Sequence, residues 1–168
     1  PFAISTVVCP ERATAFTSAP FDTRYRIISL SPRAAALWSG VYLGVGPEQN
    51  FTYISALKSR IAFITDIRRE NLHVLLMYKA LFELSRDRAD FISRLFSKKR
   101  PAGLGAASSV WDLFNAFDKV ETSPDLYQTN LAAIEDRLVK THGFKLSAED
   151  LEQLEWIYWQ FFWEGPGL

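Results

Sequence analysis

Two glycines and one carboxylate have the types and spacing of a ligand-binding site. Gly44 and Gly46 end one apolar run, and Asp66 ends the next, about 20 residues further along the chain. A glycine after a strand permits a sharp turn and close approach of a ligand, at which the next helix points its free N–H groups. A carboxylate ending the neighbouring strand can accept hydrogen bonds from ribose hydroxyls. The pattern predicts a nucleoside-cofactor site; the alternative is an ordinary βαβ turn with Asp66 as a helix cap.

Polar residues beside the glycines and Asp66 extend this candidate site. Glu48 and Asn50 follow the loop and would reach amino or hydroxyl groups of the cofactor, although Glu48 also favours the helix dipole by itself. Arg68 and Arg69 would clamp a carboxylate or phosphate, or form salt bridges with neighbouring acidic side chains. No catalytic group is identified, and no metal site is predicted. The predicted cofactor-binding residues are Gly44, Gly46, Glu48, Asn50, Asp66 and Arg68.

The elements that position these residues are predicted to be a βαβ unit followed by helices. Apolar residues indicate a strand over 40–43, a linking helix over 49–58 and a second strand over 61–65. From residue 71 onward, apolar residues recur at helical spacing through about five helices. We therefore predict an α/β fold with a Rossmann-like βαβ start and a large helical insertion, as a fragment of a longer doubly wound domain.

Short polar residues mark where the later helices are expected to begin. Ser85 is expected to cap a helix over 86–96. Ser123 with Pro124 predicts the start of a helix that runs to about residue 141. Ser147 and Asp150 nearly match a capping box and predict the start of the last helix.

Some reactive side chains are predicted to have structural roles only. His73 has no second His or Cys at metal-ligand spacing and is expected to be a surface histidine. Residues 97–101 form a basic turn, which we interpret as a solvated loop rather than an anion-binding patch. Cys9 has no His near it in the sequence and is expected to be a small buried apolar side chain, not a nucleophile.

Residues 1–39 have the least regular pattern in the chain. A strand over 24–30 and a short helix over 33–38 are the elements suggested there. We divide the chain into this N-terminal segment and the N-terminal part of a Rossmann-like domain at 40–168. Within that part, residues 40–72 form the cofactor-site unit and residues 73–168 the helical region.

The composition argues against several classes of protein. The 168 residues carry no net charge, which gives no electrostatic reason to expect nucleic acid as a partner. The one cysteine allows no internal disulfide and fits a cytoplasmic protein. No apolar run reaches the roughly 18 residues of a membrane-spanning helix, and no signal peptide is evident.

The last predicted helix is expected to need a further partner. Residues 156–163, from Trp156 to Trp163, are apolar almost all round the helix, as in helices that are buried on more than one side. This surface and the missing initiator Met lead us to expect a fragment, in which the absent C-terminal part of the protein packs on Trp156 to Trp163.

Three segments carry a resemblance to a known family. They are residues 42–54 with Gly44 and Gly46, residues 63–72 with Asp66, and residues 78–82. Over residues 40–165 the chain resembles an uncharacterised bacterial family of methyltransferase-like proteins with a Rossmann-type fold. More broadly, it is similar to class I S-adenosylmethionine-dependent methyltransferases. The resemblance implies that the glycine loop holds the methionine part of S-adenosylmethionine and that Asp66 holds its ribose, although Glu48 stands where that class often has a third glycine.

The expected function is that of an S-adenosylmethionine-binding, methyltransferase-like protein whose methyl acceptor is not predicted. One alternative is a non-catalytic Rossmann-like protein that binds a partner protein through its helices and aromatic surface. The other is an NAD(P)-binding domain. Against this last alternative, Gln49 stands three residues after Gly46, where dinucleotide folds place a glycine or alanine.

Overall fold

The computed structural model describes residues 3–7, 40–46, 48–59 and 61–167. The chain divides into two compact units, residues 1–72 and residues 73–168. The fold is mixed α/β and mostly helical, which confirms the predicted α/β class at that level. The strand expected over 24–30, the helix expected over 33–38 and Cys9 lie outside the described residues. None of the helices in the described ranges is long and apolar enough to span a membrane.

The first unit contains a three-stranded sheet and one helix. The strands are β1 (Ala3–Val7), β2 (Val41–Val45) and β3 (Ile61–Asp66), and helix α1 (Gln49–Leu57) connects β2 to β3. β3 lies in the middle, parallel to β2 and antiparallel to β1. The predicted parallel pair is therefore confirmed. The sequence did not predict β1, because this short segment mixes apolar and hydroxyl residues and pairs with a strand far along the chain.

The two faces of the sheet differ in exposure. Ile54 of α1 is buried, as are Ala62 and Ile64 of β3, and these side chains form the core of the first unit. Alternate side chains of a strand point to opposite faces. On the other face, Val41, Leu43 and Val45 of β2 are exposed.

The second unit is built from helices. Helix α2 (Arg69–Leu84) begins just before residue 73 and is followed by α3 (Arg88–Leu95), α4 (Val110–Asp118) and α5 (Pro124–Asp136). A π-helical turn (Arg137–Thr141) continues α5, and α6 (Ala148–Glu164) ends in a 3₁₀ turn (Gly165–Gly167). The fully buried side chains of this unit include Leu75, Leu76, Met77, Leu81, Leu113, Phe117, Ile134, Leu138, Leu154 and Tyr158.

Two predicted helix starts are confirmed and one is wrong. Ser123 caps α5 with Pro124 in the first turn, and Ser147 forms a complete capping box at the start of α6. Helix α3 is capped by Asp87 rather than by Ser85, whose hydroxyl donates to the carbonyl of Leu81 at 2.6 Å. Asp87 also pairs with Arg100 at 2.9 Å, a contact between distant residues that local sequence does not reveal.

His73 is buried, so the expectation of a surface histidine is wrong. Its side chain is 2% exposed, and Nε2 lies 2.9 Å from Oδ1 of Asp150 at the start of α6. A buried polar side chain needs such a partner, and this one comes from a residue far along the chain.

The basic turn at residues 97–101 is also not a solvated loop throughout. Lys98 is buried, and its Nζ donates to the carbonyl of Phe117 at 3.1 Å. Arg100 donates to Asp87 and to the carbonyl of Leu104. These cations pair with a carboxylate and with carbonyl oxygens, including one in the last turn of α4, where positive charge is favourable.

Candidate functional site

The loop between β2 and α1 brings Gly46 next to Asp66. Val45 pairs with Thr65 across the parallel strands, and the N–H of Gly46 donates to the carbonyl of Thr65 at 3.1 Å. Gly46 follows Val45 and Asp66 follows Thr65, so both residues lie at the same carboxyl edge of the sheet. Gly46 has a φ of 91°, in the left-handed region that glycine adopts without steric cost.

Asp66 is held by its own loop. Its Oδ1 accepts from the backbone N–H of Arg68 at 2.9 Å, and its Oδ2 accepts from the Nδ2 of Asn71 at 2.7 Å. These hydrogen bonds, together with the nearby Arg68 charge, hold the pKa of Asp66 below its usual range. The carboxylate is therefore ionised at neutral pH, and each of its oxygens has lone-pair capacity for a further donor.

Gly44 of β2 faces the side chain of Asn50 in α1. Asn50 is buried, and its Nδ2 donates to the carbonyl of Gly46 at 3.0 Å and to that of Val45 at 3.3 Å. Its Oδ1 accepts from the hydroxyl of Tyr42 at 2.8 Å. A Cβ added to Gly44 would lie only 2.1 Å from the Oδ1 of Asn50. Gly44 and Asn50 therefore serve the internal packing of the loop.

Gly46 is less crowded. Among the described residues, a Cβ added at Gly46 would meet the Nε2 of Gln49 in ordinary van der Waals contact, at 3.6 Å. Glu48 is exposed, directly precedes α1 with helical backbone angles, and makes no side-chain cap. Arg68 is exposed beside Asp66. Of the six predicted site residues, Gly46, Asp66, Glu48 and Arg68 thus lie at the accessible part of this edge.

Two residues that shape the site were not predicted from the sequence. Tyr42 orients Asn50, and burial together with the neighbouring Tyr53 raises the pKa of Tyr42, so its hydroxyl stays a donor. Asn71 holds Asp66. The period-two alternation of β2 is the available signal for Tyr42, because it places Tyr42 on the same face as Gly44.

The described ranges contain no group of three or more His, Cys, Asp or Glu side chains that could hold a metal ion. The geometry instead defines a mixed α/β protein whose parallel β2–α1–β3 unit carries a glycine turn and a carboxylate at one edge. The chain belongs to the family described as a domain of unknown function, DUF7790, because residues 28–151 match that family. No curated protein and no solved structure matches the chain.

Proposed function

We propose that the carboxyl edge of β2 and β3 binds the adenosyl part of a nucleoside cofactor, with S-adenosylmethionine as the first candidate. The observation that carries this proposal is the placement of Gly46 beside Asp66 at the ends of two parallel strands. Ligands of open α/β sheets bind at that edge. The proposed activity is methyl transfer to an acceptor that remains to be identified.

The residues present fit such a cofactor in part. Asp66 is ionised, partly exposed and able to accept hydrogen bonds from ribose hydroxyls. A Cβ at Gly46 would make no close contact, and Gly46 lies just before α1, where a helix directs free N–H groups at an anionic group such as the methionine carboxylate. Gly44 and Asn50 do not fit a contact role, because the side chain of Asn50 occupies the space above Gly44.

The proposed role of each residue follows from its position. S-adenosylmethionine supplies a methyl group on a sulfonium when it is bound. Asp66 would fix the ribose, and the turn at Gly46 would let the cofactor approach the backbone. Glu48 and Arg68 lie two residues after Gly46 and Asp66 in the chain, are exposed and carry opposite charges, and we propose that they contact the charged ends of the ligand. The contribution of the protein would be orientation of the two reactants.

We further propose that the β2–α1–β3 unit is the beginning of a Rossmann-like sheet. β2 has a neighbour on one side only among the described strands, and its Val41, Leu43 and Val45 are exposed. Strands of parallel sheets are usually buried on both faces. An additional strand beside β2 and a covering layer on the exposed face would complete such a sheet.

Calorimetric titration of the chain with S-adenosylmethionine and S-adenosylhomocysteine tests the cofactor proposal. We expect micromolar affinity and a loss of at least tenfold in Asp66→Ala, which corresponds to about 1.4 kcal/mol. Asp66→Asn retains an acceptor for the N–H of Arg68. It therefore distinguishes a weaker contact with the ribose from a disrupted conformation of the loop after β3. Glu70→Ala, which removes an exposed carboxylate four residues further along, should bind like the unchanged chain.

Two results would contradict the proposal. One is the absence of binding to either compound by a chain that melts cooperatively. The other is equal affinity in Asp66→Ala and in the unchanged chain. NAD and NADP would then be titrated, although Gln49 stands where their binding loop requires a small residue. If these also fail to bind, the filled space above Gly44 favours the second candidate function, a non-catalytic interaction protein.

A further inference from the structure

A shallow groove in the second unit combines aromatic rings with carboxylates. It runs between α5 and α6 and encloses about 250 Å³. Its lining is Tyr127, Glu152, Glu155, Trp156 and Trp159. Small-molecule pockets usually measure about 300–1,000 Å³, so this groove is suited to a single side chain rather than a whole cofactor.

Stacking on neighbouring aromatic rings holds Tyr127 and Trp159 of the groove in place. Tyr127 is buried and stacks on Tyr158 with ring centroids 5.1 Å apart. Trp159 stacks on Trp163 at 5.6 Å, yet it is still 42% exposed, and Trp156 is 58% exposed. Exposed indole faces carry negative electrostatic potential that attracts cations.

The groove also carries uncompensated negative charge. Glu152 and Glu155 are exposed, and neither forms an ion pair with another described residue. Burial raises the pKa of Glu135 on α5, and the negative charge of Glu155 raises it further. The same Glu155 charge adds to the effect of burial in raising the pKa of Tyr127. The carboxylates of Glu135 and Glu155 are thus close enough to repel one another, and a cation bound beside Glu155 in the groove would relieve this repulsion.

We propose that this groove binds the guanidinium group of an arginine presented by a segment of a partner protein. A guanidinium is planar, stacks on aromatic faces, donates to carboxylates in pairs and is only weakly hydrated. The groove provides all the complementary parts, namely the indoles of Trp156 and Trp159 and the carboxylates of Glu152 and Glu155. This proposal does not rest on the cofactor binding proposed for the first unit.

The test is a titration of the ¹⁵N-labelled chain with the blocked tripeptide Gly-Arg-Gly, followed by the indole N–H signals. We expect saturable shifts of the Trp156 and Trp159 signals. The same peptide with citrulline, a neutral isostere of arginine, should bind at least tenfold more weakly, and the lysine peptide should lie between the two. Equal binding of the arginine and citrulline peptides, or of the arginine and lysine peptides, would overturn the proposal.

Matched variants locate the binding. Trp159→Leu and Glu155→Gln should each weaken the arginine peptide about fivefold to tenfold. Trp111→Leu and Glu149→Gln change an exposed tryptophan and an exposed glutamate outside the groove lining, and they should have no effect. Melting curves establish that each variant is folded. Equal losses in the groove and control variants would contradict this location.

Sedimentation of the chain at micromolar concentration tests whether a second copy of the chain occupies the groove instead. A monomer leaves the groove free for the proposed partner. If the chain dimerises and Trp159→Leu abolishes the dimer, the occupant is a second copy and the proposal is wrong.

Discussion

At the scale of single residues, Asn50 is the side chain that organises the candidate site. It links β2 to α1 by donating to two carbonyls of the loop, and it accepts from Tyr42. The space that it needs exists because Gly44 has no side chain. The Gly44 position is therefore explained by packing against Asn50, whereas Gly46 is explained by its positive φ.

Substitution of Gly44 tests this explanation. Gly44→Ala should displace Asn50 from its buried hydrogen bonds and lower the free energy of unfolding by about 1–3 kcal/mol. Denaturant titration followed by circular dichroism, with hydrogen exchange of β2 and α1, measures this loss. Gly40→Ala is the control, because a Cβ there meets no atom within 4 Å and should cost less than about 0.5 kcal/mol. Equal effects of the two substitutions would show that Asn50 does not occupy the space above Gly44.

At the scale of elements, two helices begin with similar local motifs in different surroundings. Ser109 caps α4 and exchanges side-chain hydrogen bonds with Asp112. Ser147 and Asp150 repeat these bonds at the start of α6, and the backbone N–H of Ser147 also donates to Asp150. Asp112 is exposed, whereas Asp150 is buried and also contacts His73 of α2. The capping box of α6 therefore joins a local signal to a contact between helices.

This difference predicts unequal costs for the same substitution. Asp150→Ala should lower the free energy of unfolding by about 1–3 kcal/mol more than Asp112→Ala, because it leaves the buried Nε2 of His73 without its partner. Denaturant titration of both variants measures the difference. In a His73→Leu background this extra cost should shrink to that of the hydrogen bond between the N–H of Ser147 and Asp150. An unchanged cost in that background would mean that the contact with His73 contributes nothing to stability.

At the scale of the whole molecule, stability at alkaline pH depends on a tyrosine in the core. Tyr158 donates to the carbonyl of Arg94 at 2.5 Å, so the hydroxyl of Ser97, 2.7 Å away, is the donor in the second hydrogen bond. Burial raises the pKa of Tyr158 to about 12, although the hydrogen bonds with Ser97 and Asn130 oppose this shift. Tyrosine in an unfolded chain ionises near pH 10.

The raised pKa predicts a loss of stability above pH 10. The folded state keeps a proton that the unfolded state releases, so the contribution is intact below pH 10 and is lost as the pH rises through about 12. The total amounts to about 3 kcal/mol. About half of this total, roughly 1.4 kcal/mol, is lost between pH 9 and pH 11, and urea unfolding at these two pH values, followed by tryptophan fluorescence, measures it. Tyr158→Phe should remove this part of the pH dependence, and an identical pH dependence in that variant would contradict the assignment.

The sequence by itself determined the features that depend on neighbours along the chain. Apolar runs and helical spacing located the parallel β2–α1–β3 unit, and Ser123 and Ser147 marked two helix starts, because their hydrogen bonds close within one turn. The separation of Gly46 and Asp66 along the chain placed them at the ends of adjacent strands.

Only the tertiary structure decided which side chains lose contact with water and which partners they then find. His73 and Lys98 are buried because Asp150 and Phe117, both distant in sequence, supply acceptors for them. β1 is a strand because β3 supplies a ladder, and α3 begins at Arg88 because Asp87 is its cap and also pairs with Arg100. The physical reason is that burial requires partners, and these partners are set by the path of the chain rather than by local spacing.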